Sequence, residues 1–189
     1  MTSGDILQRF LETGALLQGH FLLRSGLHSN QFFQAAQVLQ YTQIAAELCE
    51  ELAKRCRHFG AATVISPAVG GIIVGQEVGR ALATRAIFAE KDDNSQLLLR
   101  RGFTLSPGEK VLIAEDVITR GGRVQQTLDL VRATGAEVVG IGVIVDRSGG
   151  KAQFDVPVIS LLELELATYD PEHCPLCQQG IPVEKPGSK

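Results

Sequence analysis

The sequence predicts an α/β domain in which a parallel β-sheet carries helices on both faces. Three observations lead there. Short apolar runs at 63–66, 85–90, 111–114, 137–146 and 156–162 have the length of buried strands. Helix-period stretches stand between most of them. Two runs, 63–66 and 111–114, pass through Gly-containing turns directly into such a stretch. Loops that follow parallel strands gather along one sheet edge, where ligands bind.

Residues 5–12 read as the first helix: Ile6, Leu7, Phe10 and Leu11 share a face, Ser3 or Asp5 can cap it, and Gly14 can end it. Residues 15–24 and 29–36 hold apolar runs separated by Ser25-Gly26-Leu27-His28, the pattern of two short strands joined by a longer loop. This pair precedes the main body and forms a small hood, within residues 1–40. Phe32 and Phe33 are adjacent, so in a strand they face opposite sides. Core packing accounts for one ring, and stacking on a planar ligand is the sharper reading for the other. Residues 43–59 form an amphipathic helix with Ile44, Leu48, Leu52 and Cys56 on one stripe, and Cys49 and Cys56 read as buried thiols.

The strand at 63–66 stops at Pro67, and Pro67-Ala68-Val69-Gly70-Gly71 leads into a helix over 72–83. Residues 91–107 read as a loop or loose hairpin, with Asp92-Asp93-Asn94-Ser95 as a turn signal and Arg100-Arg101 behind three leucines. Both a mobile lid and an ordinary surface hairpin with solvated arginines fit that pattern. The long run 137–146 closes on Asp146-Arg147, and 156–162 carries Pro157 near its start, as an edge strand does. Residues 178–189 read as a tail. The whole, 1–189, is expected to be one domain: hood 1–40, core 41–166 and C-terminal segment 167–189.

The chain is organised around 111–122, Val-Leu-Ile-Ala-Glu-Asp-Val-Ile-Thr-Arg-Gly-Gly. Glu115 and Asp116 follow the apolar run where the strand should end. Thr119-Arg120-Gly121-Gly122 then turns into a helical stretch, 123–134. A strand, a Gly-rich turn and a helix N-terminus converge backbone N–H groups on an anion. It is neither a Walker loop, which needs Lys after the glycines, nor a dinucleotide-binding loop. Carboxylates repel a phosphate, so the acid pair needs another task. A ribose diol offers two donors side by side, and diol plus phosphate describes a ribose 5-phosphate.

Composition narrows the partners. A formal net charge of −3 gives no general pull toward nucleic acid or anionic membrane, so an anion site must be local. No segment approaches the ~18–20 apolar residues of a membrane span. The first residues lack the basic start and apolar core of a signal peptide, so a cytoplasmic location is expected. The four cysteines are then expected as thiols. Cys174-Pro-Leu-Cys177 is half of a zinc site, but the other half is not visible nearby. His173 or a second subunit could complete it, a redox role is disfavoured by its place after the last strand, and packed thiols are the preferred reading.

At 111–123 the sequence resembles the phosphoribosyl pyrophosphate (PRPP) motif of type I phosphoribosyltransferases, with Arg120 where a small residue is usual. The resemblance implies that fold, PRPP and Mg²⁺. It places Glu115 and Asp116 at the ribose hydroxyls and Val117, Ile118, Thr119, Arg120, Gly121, Gly122 and Arg123 around the 5′-phosphate. It places Gly70 and Gly71 at the pyrophosphate, with Lys91 from the flexible loop. Leu-Leu-Arg24-Ser25-Gly26, Ser29 and Phe32-Phe33, and later Val145-Asp146-Arg147, resemble the orotate phosphoribosyltransferases. That likeness implies a base site of Arg24, Phe32, Phe33, Thr119 and Arg147, and the homodimer usual in the family.

The chain departs from the family at Gly70, where Lys is usual, at Glu90, where Arg is usual, and near Asn94, where the later loop Lys falls. Lys91 matches an earlier basic position, and Arg100 or Arg101 is expected to supply the missing charge beside Lys91 and Asp116. Three readings stay open: an orotate phosphoribosyltransferase, a transferase of the same fold acting on a purine or other base, and a non-catalytic PRPP sensor. The net negative charge counts against nucleic-acid binding by the last.

Overall fold

The computed structural model describes residues 1–23 and 25–186. In chain order the elements are α1 (Ser3–Glu12), β1 (Leu16–Leu22), β2 (His28–Phe33), α2 (Ala35–Leu39), α3 (Thr42–Cys56), β3 (Thr63–Pro67) and α4 (Gly70–Leu82). There follow β4 (Arg85–Lys91), β5 (Leu97–Leu99), β6 (Lys110–Ile118), α5 (Gly122–Ala133), β7 (Glu137–Asp146), β8 (Val158–Glu163), β9 (Thr168–Tyr169) and α6 (Pro175–Gln178). Among the described residues, no helix is long and apolar enough to cross a membrane.

Six strands form the main sheet in the order β5-β4-β3-β6-β7-β8. All neighbouring pairs are parallel except β4 and β5, which make the hairpin expected at 91–107. The period-two alternation of the strands divides two cores. Val64, Leu112, Ala114 and Ile144 face α1, α3 and α4, meeting Phe10, Leu48, Leu52, Val74 and Val78. Ile65, Val111, Ile113, Ile141 and Val143 face the other way, onto Val124, Leu128 and Val131 of α5. The β8 strand, with Pro157 before it, lies at the edge.

Helix α4 lies close on the sheet because Gly71, Gly75 and Gly79 recur every four residues on its buried face. A Cβ added at Gly79 would stand 2.8 Å from the Ala86 Cβ, and one at Gly75 would overlap the Ser66 hydroxyl. Since α4 carries the turn after β3, this close contact sets where that turn sits.

The hood is a second, three-stranded sheet, β1-β2-β9. Its third strand comes from the C-terminal segment, pairing His28 with Tyr169 and Ser29 with Thr168. Phe33 joins it to the body through a tilted contact with Phe10, ring centres 5.0 Å apart.

Several local expectations are corrected. The N-cap of α1 is Thr2: its hydroxyl accepts from the Asp5 N–H at 3.2 Å, and the Asp5 carboxylate accepts from the Thr2 N–H at 2.7 Å. The segment 29–36 leaves the strand at Phe33 and turns helical from Ala35. Strand β6 does not end before the acids but runs through them to Ile118, because β7 keeps pairing alongside, Glu115 to Val143 and Ile118 to Asp146. The expected tail is not free over its described part, 178–186, since the Leu22 N–H donates to the Glu184 carbonyl and the Glu184 N–H to the His20 carbonyl, both at 2.8 Å; residues 187–189 lie outside the described residues.

Gly79→Val should cost about 1–3 kcal/mol through overpacking against the sheet. A urea midpoint lowered at unchanged slope would show it, whereas an unchanged midpoint would mean that α4 does not depend on that contact.

Candidate functional site

Strand order reverses between β3 and β6, so the chain leaves these neighbours at the same edge in two turns that face one another. A cleft of about 730 Å³ opens there, lined by Phe33, Lys91, Arg147 and the run from Glu115 to Val124. Gln126 also lines it. Val124 and Gln126 were not anticipated; their place on the first turns of α5 was the only available signal.

The two acids lie in strand β6, where the ladder holds them, and not on a loop tip. Glu115 is 1% exposed and Asp116 is half-buried. The Asp116 N–H donates to Glu115 Oε1 at 3.1 Å, and the Val117 N–H to Asp116 Oδ1 at 2.8 Å. The turn after β3 presses against this pair. A Cβ on Gly71 would stand 2.9 Å from Glu115 Oε1, and one on Gly70 would overlap the Asp116 carboxylate. The departure at Gly70 therefore has a local reason: a side chain there would require the Asp116 carboxylate to shift.

The turn after β6 carries Thr119, Arg120, Gly121 and Gly122 into α5. Gly121 has φ of +77°, and a side chain there would also meet Ala152 and Phe154 at 3.0 Å. As N-cap it offers no side-chain hydrogen bond, which leaves the first amides of α5 to a ligand.

Four cationic side chains line the cleft: Lys91, Arg120, Arg123 and Arg147. Arg147 is the most unusual of them. Its N–H donates to the Ile118 carbonyl at 2.8 Å, which fixes the backbone beside the turn. Its guanidinium Nε is buried without a hydrogen-bond partner, and among the described residues it forms no ion pair. Burial lowers its pKa from the usual arginine value. Among the described residues Asp146 makes no ion pair with it, and Asp146 Oδ1 accepts the Ser148 N–H at 2.7 Å. Buried donors are seldom left unpaired, so Arg147 is held ready for an acceptor.

The remaining expected residues divide. Phe33 lines the cleft, while Phe32 turns the other way to pack on Phe21, ring centres 6.0 Å apart. Gly70 and Gly71 border the acids from α4. Arg100 and Arg101 do not line the cleft. Arg101 forks onto Glu90 with bonds of 2.8 and 2.9 Å and lies over the Phe88 ring. Arg100 also lies near enough to Glu90 to lower its pKa. The two arginines thus serve the base of the β4–β5 hairpin. Arg24 lies outside the described residues.

Burial, with the neighbouring Asp116 charge next, pushes the Glu115 carboxyl up from 4.5 to about 9. A raised carboxyl pKa means that the folded chain favours the protonated form. The stability this confers is complete below the ordinary value and is lost as pH rises through about 9. Glu115→Gln should therefore gain on the wild type as pH climbs. Thermal melts of the unliganded proteins between about pH 5 and about pH 9 should show the difference widening, and parallel curves would refute it.

A model of the phosphoribosyl transferase domain matches residues 35–174. An orotate phosphoribosyltransferase of Desulforamulus reducens is 53% identical over 189 residues, covering 100% of this chain and 98% of the relative. One from Thermotoga maritima is 49% identical over 185 residues, 98% of this chain and 97% of the relative. Among solved structures, the orotate phosphoribosyltransferase of Mycobacterium tuberculosis superposes with a TM-score of 0.71 at 20% identity, covering 86% of this chain and 96% of that one. An adenine phosphoribosyltransferase of Rhodothermus marinus gives 0.66 at 21% identity over 85% of this chain and 99% of that one, so the fold by itself does not select the base. With a family match over most of its length and relatives sharing half of its residues, the chain belongs to the phosphoribosyltransferase family.

Proposed function

We propose that the chain is an orotate phosphoribosyltransferase, which moves the 5-phosphoribosyl group of PRPP to orotate and yields orotidine 5′-monophosphate and diphosphate on the way to UMP. The observation that carries the base is Arg147, half-buried in the same cleft as the acid pair and the glycine turn, whose Nε has no hydrogen-bond partner among the described residues. A guanidinium fork matches a carboxylate, and among the nucleobase substrates considered orotate is the one that carries a carboxylate. Relatives of that name at about half identity along the whole chain support the same reading.

The cleft divides the substrate by chemistry. Thr119, Arg120, Gly121, Gly122 and Arg123, with the α5 amides, take the 5′-phosphate, and Val117 and Ile118 shape the floor beneath it. Asp116, with Glu115 behind it, accepts the ribose hydroxyls. The Gly70-Gly71 turn and Lys91 lie on the diphosphate side. Phe33 and Arg147 receive the base. The donors also fit Mg²⁺, which prefers oxygen ligands: the acid pair is at hand, and no thiol or imidazole lines the cleft. When bound with PRPP, Mg²⁺ offsets the charge that builds on the departing diphosphate.

The reaction needs no protein nucleophile. The ribose C1–O bond to diphosphate breaks and its electron pair leaves with the diphosphate, while the orotate nitrogen forms the new bond at C1 and releases its proton to the diphosphate or to solvent. The protein aligns the reactants, stabilises the leaving group with Lys91 and the turn amides, and excludes water from a cationic sugar. The exposed apolar Val69 and Ile73, beside this turn, suit an interface between two copies, and we place the working form as a homodimer in the cytoplasm.

The loss of orotate absorbance with PRPP and Mg²⁺, beside a panel of purines and pyrimidines, tests the proposal. Turnover confined to orotate is expected, and turnover of another base alone would overturn it. Arg147→Ala should lower kcat/KM for orotate by about 100-fold, equivalent to about 3 kcal/mol, with little change in KM for PRPP. Lys91→Ala should cut kcat by at least about tenfold, and Arg101→Ala should cost less, since its exposed pair with Glu90 lies outside the cleft lining. Equal losses in the two variants would return Arg101 to the reaction.

A further inference from the structure

The folded chain supplies the partners that Cys174-Pro-Leu-Cys177 lacks in the sequence. His20 from β1 and His28 from β2 meet the two thiols, and the ligand atoms of all four residues lie within 4.8 Å of one another. We propose that this cluster is a structural zinc site, coordinated by His20 Nε2, His28 Nδ1, Cys174 Sγ and Cys177 Sγ. It shares no residue with the cleft lining.

The nitrogen-to-sulfur distances are close to those of a tetrahedron. Zinc bonds of about 2.0–2.1 Å to nitrogen and about 2.3 Å to sulfur put tetrahedral N···S edges near 3.6 Å. The chain has 3.5 Å from Cys174 Sγ to His20 Nε2, 3.8 Å from Cys177 Sγ to the same atom, and 3.4 Å from Cys177 Sγ to His28 Nδ1. The two imidazole nitrogens are 2.8 Å apart. They need to open by about half an ångström to reach a tetrahedral N···N edge.

Hydrogen bonding alone does not satisfy this arrangement. His20 Nδ1 lies 2.7 Å from the Ile181 carbonyl, which only accepts, so Nδ1 carries the proton and Nε2 the lone pair. That single lone pair faces His28 Nδ1 and both thiols at once. One divalent cation uses all four lone pairs instead. The Ile181 carbonyl is then the outer partner that orients a metal-bound histidine. Charge also balances: zinc binding releases the two thiol protons, and two thiolates with two neutral imidazoles cancel the ion. His20, His28 and Cys174 are all under 9% exposed, so a neutral site suits the place. Four protein ligands leave no open position, which marks a structural site, and mixed thiolate and imidazole select zinc over magnesium.

The fold prepares the cluster. The register between β1 and β2 shifts between Gln18 and Phe21, and this bulge buries consecutive residues, His20 and Phe21, where alternation would expose one. The Cys-x-x-Cys segment spans the N-cap and third residue of α6, so both sulfurs face the hairpin. The ion would staple the C-terminal segment to a small sheet whose third strand has two residues. A sheet of that size holds poorly without such a link.

Elemental analysis of the full chain, purified with reductant and without chelator, should find zinc equimolar with protein. Cobalt exchanged into the wild type should give thiolate-to-cobalt charge-transfer bands and the strong visible bands of a tetrahedral site. Cys174→Ser with Cys177→Ser should lose the metal, and Cys49→Ala should keep it. If the double variant fails to fold, the wild type alone decides: zinc should shield two thiols from a thiol reagent until a chelator frees them. Substoichiometric metal after zinc loading, cobalt without thiolate bands, metal retained without both cysteines, or a Cys174–Cys177 disulfide in the reduced preparation would each overturn the proposal.

Discussion

A carboxylate pair is built into a central strand of a mostly parallel sheet, at the point where strand order reverses, and much else depends on that placement. Glu115 sits under the Gly70-Gly71 turn with almost no exposure. Burying a charge there is costly, and the chain avoids the cost by holding the carboxyl pKa up near 9 and giving Oε1 a backbone N–H. The same closeness reaches into the fold. The first residues of α4, Gly70 and Gly71, leave room for the two carboxyls, and α4 continues with Gly75 and Gly79 against the sheet. Site and helix packing are one constraint, seen first at a carboxylate and then along a helix.

Much of this was legible. Strands β3, β6 and β7 are apolar and rich in β-branched residues on both faces, as strands buried on both sides must be, and the two glycine turns mark the sheet edge on which ligands gather. The limits of β6 were not legible. Two acids after an apolar run read as the end of a strand, because nothing local reports that β7 continues beside them to Asp146. The place of Arg100 and Arg101 outside the cleft lining was hidden for a related reason. Glu90 and Arg101 are eleven residues apart in the chain but adjacent across a hairpin, so the reversed charge at Glu90 had a partner that only strand pairing brings near.

The hood shows the same limit at longer range. His20 and His28 carry no motif between them, and Cys174 stands 154 residues from His20. Periodicity reports which face of an element is buried but not which distant element covers it. Phe32 and Phe33 illustrate the boundary well. Alternation predicted that they part, and the fold decided which one meets the cleft: Phe33, because Phe10 of α1 backs it.

Net charge was a poor guide to the ligand, and the geometry explains why. The chain is acidic overall, yet its cleft gathers Lys91, Arg120, Arg123 and Arg147 against only two carboxyls. Field lines in a low-dielectric cleft follow the nearby groups, not the total. The acids occupy the buried strand and the cations occupy the turns and strand ends around it. A polyanionic sugar phosphate can then present its phosphates to the cations and its hydroxyls to the carboxyls. A Glu115 that keeps its proton removes one of the two negative charges such a ligand would meet on approach. The feature that costs the empty fold stability at high pH is thus the one that lets an acid pair stand inside an anion site.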